Sequence, residues 1–259
     1  MAAEVAPGVY VATAGMYTTT TTVVAGDDGG CLLIDPAVTV ADLAALAAWL
    51  SGRGLRPVAA WSTHPHWDHL LWSNALGAAP RYATARAVAA VARDEARLIG
   101  AVEEEAPGHD LSLFARVEPL IGHEIDWPGP RALIYAHDAH APGHGAVFLP
   151  DSGVLVTGDM CSDLEIPLLD LESADPFRGY REGLALLADV PCVRVVVPGH
   201  GHVARDHEFH RRIAADLAYL DAVQAGDDID DARLTGAWLR AEHARQTAFT
   251  RRAPERRPG

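Results

Sequence analysis

The pattern of apolar and polar positions changes period several times along this chain, and each change predicts a new element. Short runs of β-branched and apolar residues predict strands, whereas apolar residues at every third or fourth position predict helices. The predicted strands cover residues 9–14, 17–25, 31–35, 57–61, 131–135, 145–149, 153–157 and 193–197. The predicted helices cover residues 40–52, 68–78, 84–105, 176–189, 203–224 and 230–248.

The order of these elements favours a layered α/β architecture. A strand that ends at Asp35 is followed by a helix and then by a strand that runs into His64. A strand that ends just before Asp159 is likewise followed by a helix and by a strand that runs into His200. Ligand sites in such folds lie beyond the strand ends, so we expect His64 and His200 to meet at one edge.

One stretch and one terminus depart from this regular order. Residues 106–130 are interrupted by Pro and Gly, and we interpret them as an irregular substrate loop near the site, with 117–121 as a candidate short strand. The charged, Pro-containing tail 250–259 is predicted to be disordered. Residues 1–249 are predicted to form a single domain that includes C-terminal helices within 203–248.

Composition restricts the partners and the compartment. The 259-residue chain has a formal net charge of −14 and contains no lysine. An acidic protein repels phosphate backbones, so we expect a small-molecule substrate and no nucleic-acid partner. We see neither a signal peptide nor a stretch of membrane-spanning length, so a cytoplasmic location without membrane attachment is the default expectation. The three cysteines show no paired spacing, which argues against a disulfide framework.

The most informative stretch is residues 62–69, which read Ser-Thr-His-Pro-His-Trp-Asp-His. Imidazole nitrogens and carboxylate oxygens are ligands that Zn²⁺ prefers. His64 and His66 lie two apart on an extended segment, so their side chains point to the same side and can converge on one ion. Asp68 and His69 follow where the chain turns, and can face a second ion. The spacing therefore predicts a metal site.

Three later motifs place this cluster in a family. The chain contains Ala-Pro-Gly-His144, Thr-Gly-Asp159 and Pro-Gly-His200-Gly, in that order after the histidine cluster. Together the four motifs resemble those of the metallo-β-lactamase-fold hydrolase superfamily. The resemblance covers most of the chain, from the strand ending at Asp35 to His202. It implies a four-layer αβ/βα sandwich with extra C-terminal helices and a dinuclear metal site at one edge.

The resemblance also implies a ligand set and a reaction. The ligands of a first ion would be His64, His66 and His144; those of a second would be Asp68, His69 and His200; and Asp159 would bridge the two. With two Zn²⁺ ions per chain, a metal-bridging hydroxide would attack the substrate, and Asp68 could orient it or carry the proton to the leaving group. Asp35 would hydrogen-bond within the scaffold near the ligand loops.

Several functions remain open at this point. A small ester, thioester or lactone is the expected substrate, and the alternatives are a phosphodiester, a β-lactam or a non-catalytic metal-binding or sensing role. Members that reduce oxygen at two irons typically carry Glu at the second His of the motif, so His66 favours the hydrolytic zinc branch. Oligomeric state is not readable from the sequence.

Indications for the substrate pocket are weaker. Trp67 or Trp72 could line it, although core packing is at least as good an interpretation for Trp72. Tyr180 is a further candidate for contacting substrate, and Cys161 is interpreted as a buried structural thiol. Five histidines are candidates for the pocket or for supporting the ligands, with a surface or capping role equally open: His137, His140, His202, His207 and His210.

Overall fold

A computed structural model describes residues 2–252, which contain twelve strands and five α-helices. The strands are β1 (Ala3–Ala6), β2 (Val9–Thr13), β3 (Thr20–Ala25), β4 (Gly30–Ile34), β5 (Arg56–Trp61), β6 (Arg81–Ala83), β7 (Glu118–Pro119), β8 (Leu133–His137), β9 (His144–Leu149), β10 (Val154–Gly158), β11 (Val195–Pro198) and β12 (Ala204–Arg205). The helices are α1 (Val40–Ser51), α2 (Ala85–Glu105), α3 (Pro176–Ala188), α4 (Glu208–Ala225) and α5 (Ala237–Arg252). None of the helices within this range has the length and apolar character needed to cross a membrane.

The strands form two mixed sheets. The first contains β1 to β7 in sequence order, antiparallel up to β4 and parallel from β4 onward. The second has the order β12-β11-β10-β9-β8, and its one parallel pair is β10 with β11. The parallel pairs β4–β5 and β10–β11 are each joined through a helix, as the repeated strand–helix–strand order predicted.

Alternation along the strands divides the core into layers. In β4, Leu32 and Ile34 face a central cluster that also holds Val154 and Val156 of β10. Residues of β4 between them face the outer cluster, where α1 and α2 pack. A third cluster lies between the second sheet and α3, α4 and α5. Two sheets with helices on both outer faces confirm the four-layer αβ/βα sandwich and the additional C-terminal helices.

Some element boundaries differ from the prediction. The region predicted as a helix over 68–78 contains only short 3₁₀ turns, at Trp67–His69 and Asn74–Leu76. Its apolar residues Leu70, Leu71 and Trp72 are consecutive and all buried, so they have no exposed helical face.

β3 begins only at Thr20, because Tyr17 and Thr18 adopt positive φ in the preceding turn. Residues 250–252 belong to α5 rather than to a disordered tail, and 253–259 lie outside the described residues.

The segment 106–130 is irregular over most of its length, and several of its apolar residues are anchored in the core. Phe114 packs in the outer core with α1 and α2, and Ile125 and Trp127 pack in the central core. Only Glu118–Pro119 forms a strand, which pairs with β6 at the edge of the first sheet. The interpretation of 106–130 as a substrate loop stays a prediction. Phe114, Ile125 and Trp127 anchor parts of the segment in two cores, whereas Ala106 at its start packs with Met16 and Trp67.

Candidate metal centre

Four chain segments deliver polar side chains to one edge of the sandwich. β5 runs into residues 62–69, β10 runs into Asp159, and β11 runs into His200. The start of β3 closes this edge, because Thr20 N donates to the carbonyl of Gly199 over 2.7 Å and Thr19 pairs with His200. The two sheets are thus tied together at the place where the predicted ligands lie.

The first ligand group comprises His64, His66, His140 and Asp159. His66 Nδ1 lies 3.1 Å from His64 Nε2 and 3.0 Å from His140 Nε2. Asp159 Oδ2 lies 3.3 Å from His64 Nε2 and 3.5 Å from His140 Nε2. Four ligand atoms at tetrahedral corners around Zn²⁺, with bonds of about 2.0–2.1 Å, would be about 3.4 Å apart. The spacing of this group therefore fits a bound divalent ion.

The second ligand group comprises Asp68, His69 and His200. Asp68 Oδ2 lies 3.4 Å from His69 Nε2 and 3.2 Å from His200 Nε2, and the two ring nitrogens are 3.4 Å apart. All three side chains are almost fully buried. Buried polar atoms facing one another at these distances again fit a cation between them.

Asp159 faces both groups. Its Oδ1 lies 3.2 Å from His69 Nε2, while its Oδ2 lies within hydrogen-bond range of His64 and 3.3 Å from His200 Nε2. Oδ1 is buried without a hydrogen-bond partner among the described residues. A carboxylate that points to both groups, with an otherwise unsatisfied oxygen, is suited to bridge two ions.

Partners behind the rings fix which nitrogen faces the site. His140 Nδ1 donates to the carbonyl of Leu168 over 2.8 Å, which leaves Nε2 unprotonated toward the first group. His64 Nδ1 lies 3.0 Å from Thr63 Oγ1, whose hydroxyl donates to Asp35. These contacts orient the rings with their free lone pairs inward, as metal-binding histidines require.

Similar contacts orient the second group. His69 Nδ1 lies 2.9 Å from Asp35 Oδ2, a close contact that is not aligned as a hydrogen bond. His200 Nδ1 lies 3.2 Å from the carbonyl oxygen of Tyr17 and 3.2 Å from Thr19 Oγ1. Asp35 also accepts from Thr63 N over 2.8 Å, so it supports the scaffold behind the ligands without entering either group.

The electrostatics keep the carboxylates ionised. Burial alone would raise the pKa of Asp68 and of Asp159, but the His69 and His200 rings outweigh it and hold both pKa values well below the ordinary range. Burial lowers the pKa of His140 to about 3. His140 and Asp159 therefore present a neutral imidazole and an ionised carboxylate to the first group, the protonation states in which these side chains bind metals.

The structure corrects the expectation for His144. The His144 ring lies outside both groups: its Nε2 donates to the carbonyl of Thr157 over 2.9 Å, and the ring stacks on His64 at 4.9 Å. The physical reason is the turn before β9, where Gly143 has φ of +69° and its N–H donates to Asp138. His140 occupies the place predicted for His144. The sequence Ala-His140-Ala-Pro-Gly-His144 offered both histidines, and spacing alone did not distinguish them.

Of the other residues singled out in the sequence, three are buried in the cores and one lies near the rim of the site. Trp72 and Tyr180 are buried in the outer cores and do not line the site, and Cys161 is buried as expected. Trp67 is half-buried and near the rim, where its ring centroid lies 6.5 Å from that of Tyr17. Tyr17 itself is 48 % exposed and 6.3 Å from the His200 ring, and no pattern in the sequence had indicated it.

A second residue that the sequence did not indicate is Glu165, in the loop between β10 and α3. One of its carboxylate oxygens lies within 4.8 Å of Asp159 and of His200. Burial raises the pKa of the Glu165 carboxyl to about 7. His202, for which a pocket role and a surface role were equally open, is exposed and pairs with Asp163 over 2.8 Å.

Two aspartates of this edge should respond differently to mutation. Asp159→Ala removes the carboxylate that faces both groups, so we expect metal affinity to fall by more than about 100-fold. Asp35→Ala removes only support for His69 and Thr63, so we expect a loss of about 10–100-fold. Competition with a zinc chelator measures both affinities. A larger loss in Asp35→Ala than in Asp159→Ala would contradict the assignment.

Comparison with known proteins agrees with the geometry. A family model described as the metallo-beta-lactamase superfamily matches residues 14–212. Among curated proteins, none matches the chain. A beta-lactamase domain protein from Burkholderia ambifaria is similar in structure, with 21% identity, a TM-score of 0.65, and 86% of this chain and 76% of the other covered.

Two further solved structures are similar over most of their length. A metallo-beta-lactamase family protein from Thermus thermophilus has 22% identity and a TM-score of 0.63, covering 95% of this chain and 91% of the other. The protein TTHA1623, solved in a di-iron-bound form, has 26% identity and a TM-score of 0.59, covering 76% of this chain and 94% of the other.

Proposed function

The chain belongs to the metallo-beta-lactamase superfamily, and from that premise we propose that it is a zinc-dependent hydrolase of a small ester, thioester or lactone. The observation that supports this most strongly is the convergence of two ligand groups on Asp159. A structural zinc site needs only one closed set of four ligands. Seven side chains arranged around two positions leave room for water and substrate, which favours catalysis over a purely structural role.

The proposed ligands are His64, His66 and His140 for one ion, Asp68, His69 and His200 for the other, and Asp159 for both. When bound, two divalent ions supply Lewis acidity toward the scissile carbonyl and toward a water molecule. We favour zinc because His66 occupies the position at which oxygen-reducing di-iron members typically carry Glu. Iron remains the alternative ion to test, since TTHA1623 was solved with two irons.

The residues of the chain have separate parts in this proposal. Asp68, which stays ionised beside His69 and His200, would orient the attacking water or carry its proton to the leaving group. Tyr17 and Trp67 would form an apolar wall beside the His200 side of the site. An aromatic wall suits a neutral acyl or lactone portion better than a phosphate.

The proposal is tested by a hydrolysis panel of esters, thioesters, lactones, phosphodiesters and β-lactams. We expect the zinc-loaded protein to hydrolyse one of the first three classes best, and a chelator to abolish that activity. His66→Ala should reduce the same activity to background, because it loses a ligand of the first group. Activity that persists in His66→Ala, or a clear preference for phosphodiesters, would overturn the proposal. Loading with Fe²⁺ in place of Zn²⁺ identifies the effective ion.

A further inference from the structure

The loop that carries Glu165 is fastened to the metal centre on both sides. On one side, Ser162 Oγ donates to the carbonyl of His200 over 2.7 Å. On the other side, the carbonyl of Leu168 accepts from His140 Nδ1 over 2.8 Å. Glu165 lies between these two attachments, so its position relative to both ligand groups is fixed by the fold.

The backbone of Glu165 is held as well. Its N–H donates to Ser162 Oγ over 3.1 Å, and its carbonyl accepts from Arg233 Nη1 over 3.0 Å. Arg233 is buried and pairs with Asp216 at 2.5 Å. A buried guanidinium that reaches from the C-terminal region to this backbone restricts where the Glu165 side chain can point.

The Glu165 carboxylate itself is not used in holding the loop. Within residues 2–252, the hydrogen bonds of residue 165 all run through its backbone. One carboxylate oxygen nevertheless lies within 4.8 Å of Asp159 and His200. Asp159 and Asp68 face the ligand groups directly, so Glu165 adds a third carboxyl group beside the place where substrate would bind.

An aromatic ring also lies close to His200. The Tyr17 ring lies 6.3 Å from the His200 ring, and its hydroxyl donates to Glu105 over 2.7 Å. Glu165 and Tyr17 therefore both lie close to His200. An aromatic ring and a carboxylate near one position are groups that can recognise ammonium ions.

We infer that Glu165 is a specificity-determining residue and that the substrate of this site carries a cationic, ammonium-type group. The inference deepens the proposed hydrolase function. It rests on that function, because the cationic molecule is a substrate only if the site is catalytic. In this inference Glu165 contacts the cationic group of the substrate and does not bind a metal ion. Anionic substrates would meet the Glu165 charge and bind more weakly.

A pair of isosteric probes tests the inference without requiring turnover. Choline and its uncharged isostere 3,3-dimethylbutan-1-ol are titrated into the zinc-loaded protein, and dissociation constants are measured by NMR. We expect the wild type to bind choline about tenfold more tightly than the isostere, as expected for a partly desolvated cation contact. E165Q should lose this preference. E95Q, the matched control at an exposed position of α2, should retain it.

Metal content and turnover complete the test. E165Q should retain the wild-type zinc content, and loss of an ion would make Glu165 a ligand and overturn the inference. Equal binding of the two probes by the wild type, or an unchanged preference in E165Q, would also overturn it. Butyrylthiocholine and 3,3-dimethylbutyl thiobutyrate then report hydrolysis. If neither thioester is cleaved although choline is preferred, the contact of Glu165 with the cation stands and the thioester part of the proposed function fails.

Discussion

His140→Phe should remove about one zinc ion per chain from the reconstituted protein and weaken the affinity for that ion more than about 100-fold. His140 Nε2 lies 3.0 Å from His66 Nδ1 within the first ligand group, and Phe keeps a ring there while removing the lone pair. Mutating a residue that hydrogen-bonds to a metal ligand typically weakens metal affinity by about 10–100-fold. Loss of a direct ligand should weaken it by more than that range. Elemental analysis after dialysis measures the stoichiometry.

His144→Phe is the matched control, because it makes the same substitution four residues away. Its ring stacks behind His64, and its Nε2 bonds to the carbonyl of Thr157. We expect both ions to remain, with a stability loss of about 1–3 kcal/mol from the unpaired carbonyl. If His144→Phe lost an ion and His140→Phe kept both, His144 would be the metal ligand, as the sequence predicted, and the assignment of His140 as the ligand would be wrong.

Arg233→Met should destabilise the protein by about 3–5 kcal/mol. The guanidinium pairs with Asp216, which is 1 % exposed, and also bonds to Asp231 and to the carbonyl of Glu165. Removing one partner of a buried ion pair leaves an uncompensated charge, and this accounts for most of the cost. Urea unfolding of the metal-free protein measures it, with Arg178→Met as the control because the Arg178–Glu182 pair is exposed.

The pH dependence of that destabilisation has a definite sign. Burial raises the pKa of Asp216 in the folded wild type to about 6, above its value in the unfolded chain. Its ionisation therefore lowers stability as pH rises toward that value. Without Arg233 the folded pKa rises further, so the stability loss should be larger at about pH 8 than at about pH 5. A loss of equal size at both values would show that the charge of Asp216 is not its cause.

Much of the fold was accessible from the sequence because its strands are short and strongly patterned. In β4 and β10, alternate residues face different cores, and the repeated strand–helix–strand order that predicted a layered α/β architecture is found at the two parallel pairs β4–β5 and β10–β11. The sequence indicated the irregular structure of 106–130 through its Pro and Gly content, but it did not indicate that Phe114 and Ile125 anchor the segment in two cores. Isolated apolar residues at irregular spacing give no periodic pattern from which such packing can be predicted.

The candidate site was predictable where its residues are close in sequence. His64, His66, Asp68 and His69 come together because one short segment carries them, and Asp159 and His200 because each follows a strand at the same edge. The choice of His140 over His144 depends on a turn geometry that the sequence does not specify. The position of Glu165 depends on a contact with Arg233, 68 positions further along the chain, and such a contact becomes visible only in three dimensions.

A crystal structure of the zinc-reconstituted protein, with anomalous scattering recorded at the zinc edge, tests the central claim most directly. We expect two anomalous peaks in each chain, one within bonding distance of His64, His66 and His140, the other of Asp68, His69 and His200. Asp159 should contact both peaks. A single peak, no peak, or a peak bound by His144 while His140 points away would contradict the two-metal centre described for this protein.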